Sequence, residues 1–119
     1  MSGKDLRGFD YALEPARQRA HHRVDAAIGA IGQCQRALTL ARQQAQALRD
    51  QCREVARHST PAQRALIDPW RAMAASRQWL QLREALALAE QTEQDHEAAL
   101  EKAKSQLNQA RVEQETFDT

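Results

Sequence analysis

A chain of 119 residues, with 17 Lys or Arg against 16 Asp or Glu and a formal net charge of +1, has room for one small domain or one long helical hairpin. Aromatics are 4% of the residues, Gly and Pro number four and three, and β-branched residues are scarce, so the composition excludes most sheet folds. At 42% hydrophobic it is too apolar for a disordered segment, no window approaches the ~18 apolar residues of a membrane span, and the first residues lack a signal-peptide core.

In chain order, residues 1–14 read as a flexible N-terminus. Starting at Leu13, apolar residues recur at alternating steps of four and three: Ala20, Val24, Ala27, Ile31, Cys34, Leu38, Ala41, Ala45, Leu48, Cys52 and Val55. Only Arg17 interrupts the run. A 3.5-residue period sustained this long marks a coiled-coil seam and predicts a first helix over 15–57 with Pro15 at its start. Cys34 and Cys52 fall on that helix about 27 Å apart, beyond disulfide reach, and read as small apolar seam residues. Gly29 and Gly32, each costing ~1 kcal/mol relative to Ala, suit bending or close approach of another chain.

A turn is expected over 58–68. In it Thr60 is placed to cap, Pro61 suits a first helical position, Gln63 completes a capping box, and Asp68-Pro69 repeats the start signal. The second helix is expected over 69–117. Its seam runs through Ala72, Ala75, Trp79, Leu82, Leu86, Ala89, Leu100, Ala103, Leu107, Ala110 and Phe117, with Glu93, His96 and Gln114 as polar members. The prediction is therefore an all-α, antiparallel two-helix coiled-coil hairpin, a long rod with a short capped turn and one domain over 1–119. Its first helix would be about 65 Å long. Seam partners should have residue numbers of constant sum: 127 sets large against small in most layers, and 120, one heptad away, is the alternative. In the 127 register Leu40 and Leu88 are off-seam and roughly level. So slim a hairpin with so many alanines buries little and calls for a partner.

Up to Arg57 the chain has ten Lys or Arg against six Asp or Glu; beyond it, seven against ten. The acid concentrates in Glu84, Glu90, Glu93, Asp95, Glu97 and Glu101. Arg17, Arg19 and Arg23 flank His21 and His22 at the terminal end. Both sets read first as solvated helix surface with complementary cross-helix pairs.

No catalytic constellation is present: there is no Gly-rich phosphate loop, no paired-Cys motif and no HExxH. His21 and Asp25, one turn apart, make too weak a pair for a metal site, and His96 reads as a polar seam layer. No enzyme activity, cofactor or metal is predicted. Nucleic acid is not an expected partner, since the acidic second helix leaves no continuous basic face. The informative feature is apolar surface beyond the seam: Leu66, Trp70, Met73 and Leu80 follow at helical spacing with Arg77 completing the stripe. They mark either a binding surface or a small cap on the turn.

This pattern resembles the FliJ/YscO family, the central-stalk subunits of bacterial flagellar and virulence type III secretion systems. The resemblance covers nearly all of the chain: an aromatic-x-x-x-Leu start at Phe9 to Leu13, an Arg- and Gln-rich first helix, a mid-chain break, and Arg77-Gln78-Trp79-Leu80-Gln81-Leu82 near the opening of the second helix. The resemblance implies a hairpin similar to the coiled-coil part of the rotary ATP synthase γ subunit. Its terminal end would enter the hexameric export ATPase, its turn end would contact the cytoplasmic part of the membrane export gate, and export chaperones are further partners. Trp79 and Leu80 match gate-contacting family positions; Trp70, Met73, Arg77 and Leu66 lie at the same end, and Arg17, Arg19 and Arg23 at the end that would meet the ATPase. The implied location is the bacterial cytoplasm, peripheral to the export apparatus, with no direct membrane insertion. The pattern departs at Phe117-Asp118-Thr119, where family members continue in a basic helical stretch, which fits a short member or a truncated chain. Two other classes stand beside this one: a coiled-coil scaffold or chaperone-like module dimerising into a four-helix bundle through Leu40, Leu80 and Leu88, and a nucleic-acid-binding regulator.

Overall fold

The computed structural model describes residues 3–58 and 68–118, with side chains from residue 13 onward. Two helices account for nearly all of them: α1, Gly3–His58, and α2, Pro69–Asp118. No strand occurs among the described residues. The fold is an all-α helical hairpin.

α1 differs from expectation at its start. The sequence predicts a flexible 1–14 and a helix opening at Pro15, whereas the backbone is helical from Gly3 and Pro15 lies inside α1. An internal proline removes one backbone hydrogen bond. Strong helix formers stand on both sides of it, among them Lys4, Leu6, Ala12, Leu13, Ala16 and Arg17, and the helix continues through. α2 opens at the Asp68-Pro69 pair. The Trp70 backbone N–H donates to the Asp68 carboxylate at 3.3 Å, and the Ala72 N–H donates to the Asp68 carbonyl at 2.9 Å. Asp68 is thus the N-cap and Pro69 the first helical residue, where proline's missing N–H costs nothing. The proposed capping residues Thr60, Pro61 and Gln63 lie outside the described residues.

The helices contribute to two compact units, one drawn from Met1–Arg36 and Ala98–Thr119, the other from Ala37–Glu97. In the first unit, Val24, Leu107 and Ala110 form a buried cluster with Ala27 and Ile31 packed against it, and Ala20 and Ala103 are also buried. In the second, Leu38, Ala41 and Ala45 are buried, Ala45 with no exposed surface at all. Cys34 and Cys52 are half-buried free thiols. Among the described residues every buried one stands on the expected 3.5-residue seam, so periodicity located this core.

The register of the two helices is corrected. Val24 with Ala110 adds to 134, His21 with Gln114 and Arg42 with Glu93 to 135, and Arg23 with Glu113 to 136. That alignment is one heptad beyond the preferred 127 and two beyond 120. Ion pairing supplies the reason. Glu93 is on the seam with its side chain only 17% exposed, and the observed register brings Arg42 to 3.7 Å and Arg49 to 3.4 Å of it. Arg42 also reaches Glu97 and Arg49 reaches Glu90, each at 3.4 Å. A half-buried carboxylate is costly unless paired. Matching large against small residues left that cost out. The same correction separates Leu40 from Leu88, which are not level, and both are exposed.

A methyl group added at Gly29 would meet no atom within 4 Å, and one added at Gly32 would meet only the Arg36 guanidinium at 4.0 Å. No close approach within the chain requires either.

Candidate partner-binding site

The corrected register shapes the start of α2. With numbers adding to about 134, His58, the last residue of α1, lies level with Ser76, so 69–75 extend past the end of α1. Ala72 and Ala75, placed on the seam by periodicity, are consequently exposed. Around them Trp70 is 79% exposed, Met73 52% and Leu80 58%. Ala72, Met73, Ser76, Arg77 and Leu80 line one shallow groove on α2 alone. From Pro69 to Arg83 the helix carries Arg71, Arg77 and Arg83 and no acid. The result is an apolar stripe with a basic border, of the kind that fits an apolar partner of acidic character.

Trp79 stands apart from this group. It is half-buried on the seam, and the Arg83 guanidinium lies 5.8 Å from its ring centroid. Part of its surface is therefore committed to folding. Arg77 is exposed, and Leu66 lies outside the described residues.

At the terminal end the structure brings the expected basic residues against α2. Arg23 meets Glu113 at 2.7 Å. Arg17 lies 3.5 Å from Glu14 and 4.0 Å from Asp118, and its Nε is buried without a hydrogen-bond partner. Arg19 donates to the Pro15 carbonyl at 3.4 Å and is exposed. Two of the three arginines thus already hold acidic partners across the hairpin. His21 contacts the Gln114 amide at 2.6 Å through Nδ1 and Asp118 at 3.9 Å through Nε2. Among the described residues no group of three or more His, Cys, Asp or Glu could hold a metal, and no described helix is long and apolar enough to cross a membrane.

Sequence reasoning missed Ile28, 50% exposed, and Val112, 62% exposed. Both are large apolar residues one or two places off the seam, and that offset was the available signal.

The fold defines a helical hairpin protein in which three of the exposed large apolar residues among those described, Trp70, Met73 and Leu80, lie near the start of α2. Compared with known proteins, the chain matches no family model, no curated protein and no solved structure.

Proposed function

We propose that this protein is a noncatalytic stalk or adaptor of a bacterial type III secretion system. It binds the export ATPase hexamer through its terminal end and the cytoplasmic part of the export gate through the start of α2, and it also engages export chaperones. It works in the bacterial cytoplasm beside the export apparatus. The observation that carries this reading is the exposure of Trp70 and Met73 on a helix segment that extends past its partner, with Leu80 exposed next to it on α2. A tryptophan left this open on a two-helix protein is a typical anchor for a partner. The family resemblance of the heptads and of Arg77 to Leu82 supports the assignment of that partner.

The test is the hydrolysis rate and oligomeric state of the cognate export ATPase with and without this protein, alongside binding to the gate's cytoplasmic part. Stimulated turnover with more hexamer is expected. Trp70→Ala should weaken gate binding by about tenfold or more, the effect of losing an exposed aromatic anchor, with ATPase stimulation intact. Trp70 is a cleaner probe than Trp79, whose ring also packs in the fold.

A second reading, a scaffold that dimerises into a four-helix bundle, draws on Leu40 and Leu88, 60% and 70% exposed, together with Leu80. Mass in solution separates the two. A monomer supports the stalk, and a stable dimer lost on Leu88→Gln supports the bundle.

A further inference from the structure

Two seam observations point beyond a single fixed alignment. Ala72 and Ala75 occupy seam positions of α2 yet are exposed, because α1 ends at His58. Glu93 occupies a seam position too, and Arg42 and Arg49 hold it there. Both helices repeat every seven residues, so sliding α2 by one heptad keeps each seam residue on the seam. A slide away from the turn takes Leu48 from Leu86 to Trp79, Ala45 from Ala89 to Leu82, and Cys52 from Leu82 to Ala75. In the terminal unit it takes Val24 from Ala110 to Ala103 and Ala27 from Leu107 to Leu100. Apolar stays on apolar in all of these layers, and Ala72 and Ala75 become covered. Glu93 and His96 face apolar residues after either slide, Cys34 and Ile31 in this direction and Leu48 and Ala45 in the opposite one, but only this direction covers the exposed Ala72 and Ala75.

We infer that the hairpin switches between these two registers, with Arg42, Glu93 and Arg49 as the lock that holds the extended one: the slide carries Arg42 into the place Arg49 now holds beside Glu93 and leaves Glu93 that one arginine. The slide, about 10 Å for seven residues, retracts the start of α2 with Trp70 and Met73 alongside the last turns of α1. Packed helices ratcheting by whole repeats are an established kind of bistable motion. The lock is ionic and its arginines are partly exposed, with side chains 57% and 34% accessible. Salt or a competing acidic partner can therefore release it. This device does not depend on the stalk assignment.

Oxidative crosslinking of the full chain reads the register directly. Cys34→Ser leaves Cys52 as the one native thiol. Added to that background, Leu82→Cys meets Cys52 in the observed register and Ala75→Cys meets it only after the slide. A disulfide needs Cα atoms within about 7 Å, less than one heptad of rise, so each pair reports its own state. With the lock intact the 52–82 bond should dominate. Glu93→Gln should raise the yield of the intramolecular 52–75 bond at least fivefold and lower that of 52–82. Arg49→Gln serves if Glu93→Gln fails to fold, with helicity checked by circular dichroism, and about 1 M salt releases the lock with no change to it. A 52–75 yield that stays at background in folded lock variants and in high salt overturns the switch. A yield equal with and without the lock overturns the role given to Arg42, Glu93 and Arg49.

Discussion

The two units solve the same packing problem differently. In the terminal unit, burial is shared: Ala20 and Val24 on α1 and Ala103, Leu107 and Ala110 on α2 are all buried. Among the described residues of the turn-side unit only α1 residues are buried, while Leu82, Leu86, Ala89 and Glu93 on α2 are half-buried, and four charged contacts from Arg42 and Arg49 bracket the seam. Cross-helix ion pairs occur in both units, Arg17–Asp118 and Arg23–Glu113 in the terminal one, but in the turn-side unit they converge on a carboxylate of the α2 seam itself. What differs is the residue set at the polar seam positions. On α2 the terminal seam has a neutral amide, Gln114, as its polar member, whereas Glu93 sits inside the other with a charge that has to be answered.

That contrast can be broken most severely at Ala45. Ala45→Glu places an unpaired charge where no surface is exposed and should cost about 3 kcal/mol or more, unfolding the turn-side unit in a urea titration followed by circular dichroism. Ala72→Glu, also at a seam position but exposed, should stay within about 0.5 kcal/mol. Equal losses would mean that 69–75 are covered and the observed register is wrong.

Next in size, Leu107→Ala should cost about 2 kcal/mol in the same titration, since it empties the apolar cluster of the terminal unit, while Leu88→Ala should change little. For the ionic seam, Glu93→Gln should cost about 1 kcal/mol and Glu90→Gln only a few tenths, because Glu93 is the more buried and touches both arginines. Repeating both in high salt should shrink the difference. A salt-independent loss at Glu93 would instead assign it a packing role.

Two substitutions should stabilise. Arg17→Leu replaces a seam residue whose Nε is buried without a hydrogen bond, and a gain of up to about 1 kcal/mol is expected, together with weaker stimulation of the export ATPase. Gain in stability with stimulation unchanged would remove Arg17 from the proposed contact. Gly29→Ala, with open space around the added methyl, should gain ~0.5 to 1 kcal/mol by helix propensity alone. A loss there would reveal a bend that needs the glycine.

The seam of both helices, the break between them and the capping role of Asp68-Pro69 were legible in the amino-acid order, because heptad spacing and N-cap chemistry are local and act within a few residues. The exposed Trp70, Met73 and Leu80 were legible for the same reason, as apolar residues off that spacing. Register was not. A strict seven-residue repeat looks the same after every shift of seven, so 134 could be distinguished from 127 only by which charges meet across the helices. Arg42 and Arg49 are ordinary surface arginines in one dimension, and tertiary structure makes them partners of Glu93. The overhang of 69–75, the exposure of Ala72 and Ala75, and the pairing of Arg17 and Arg23 with α2 all depend on that alignment. The sequence by itself determined which face of each helix packs; the cross-helix charges decided how far along.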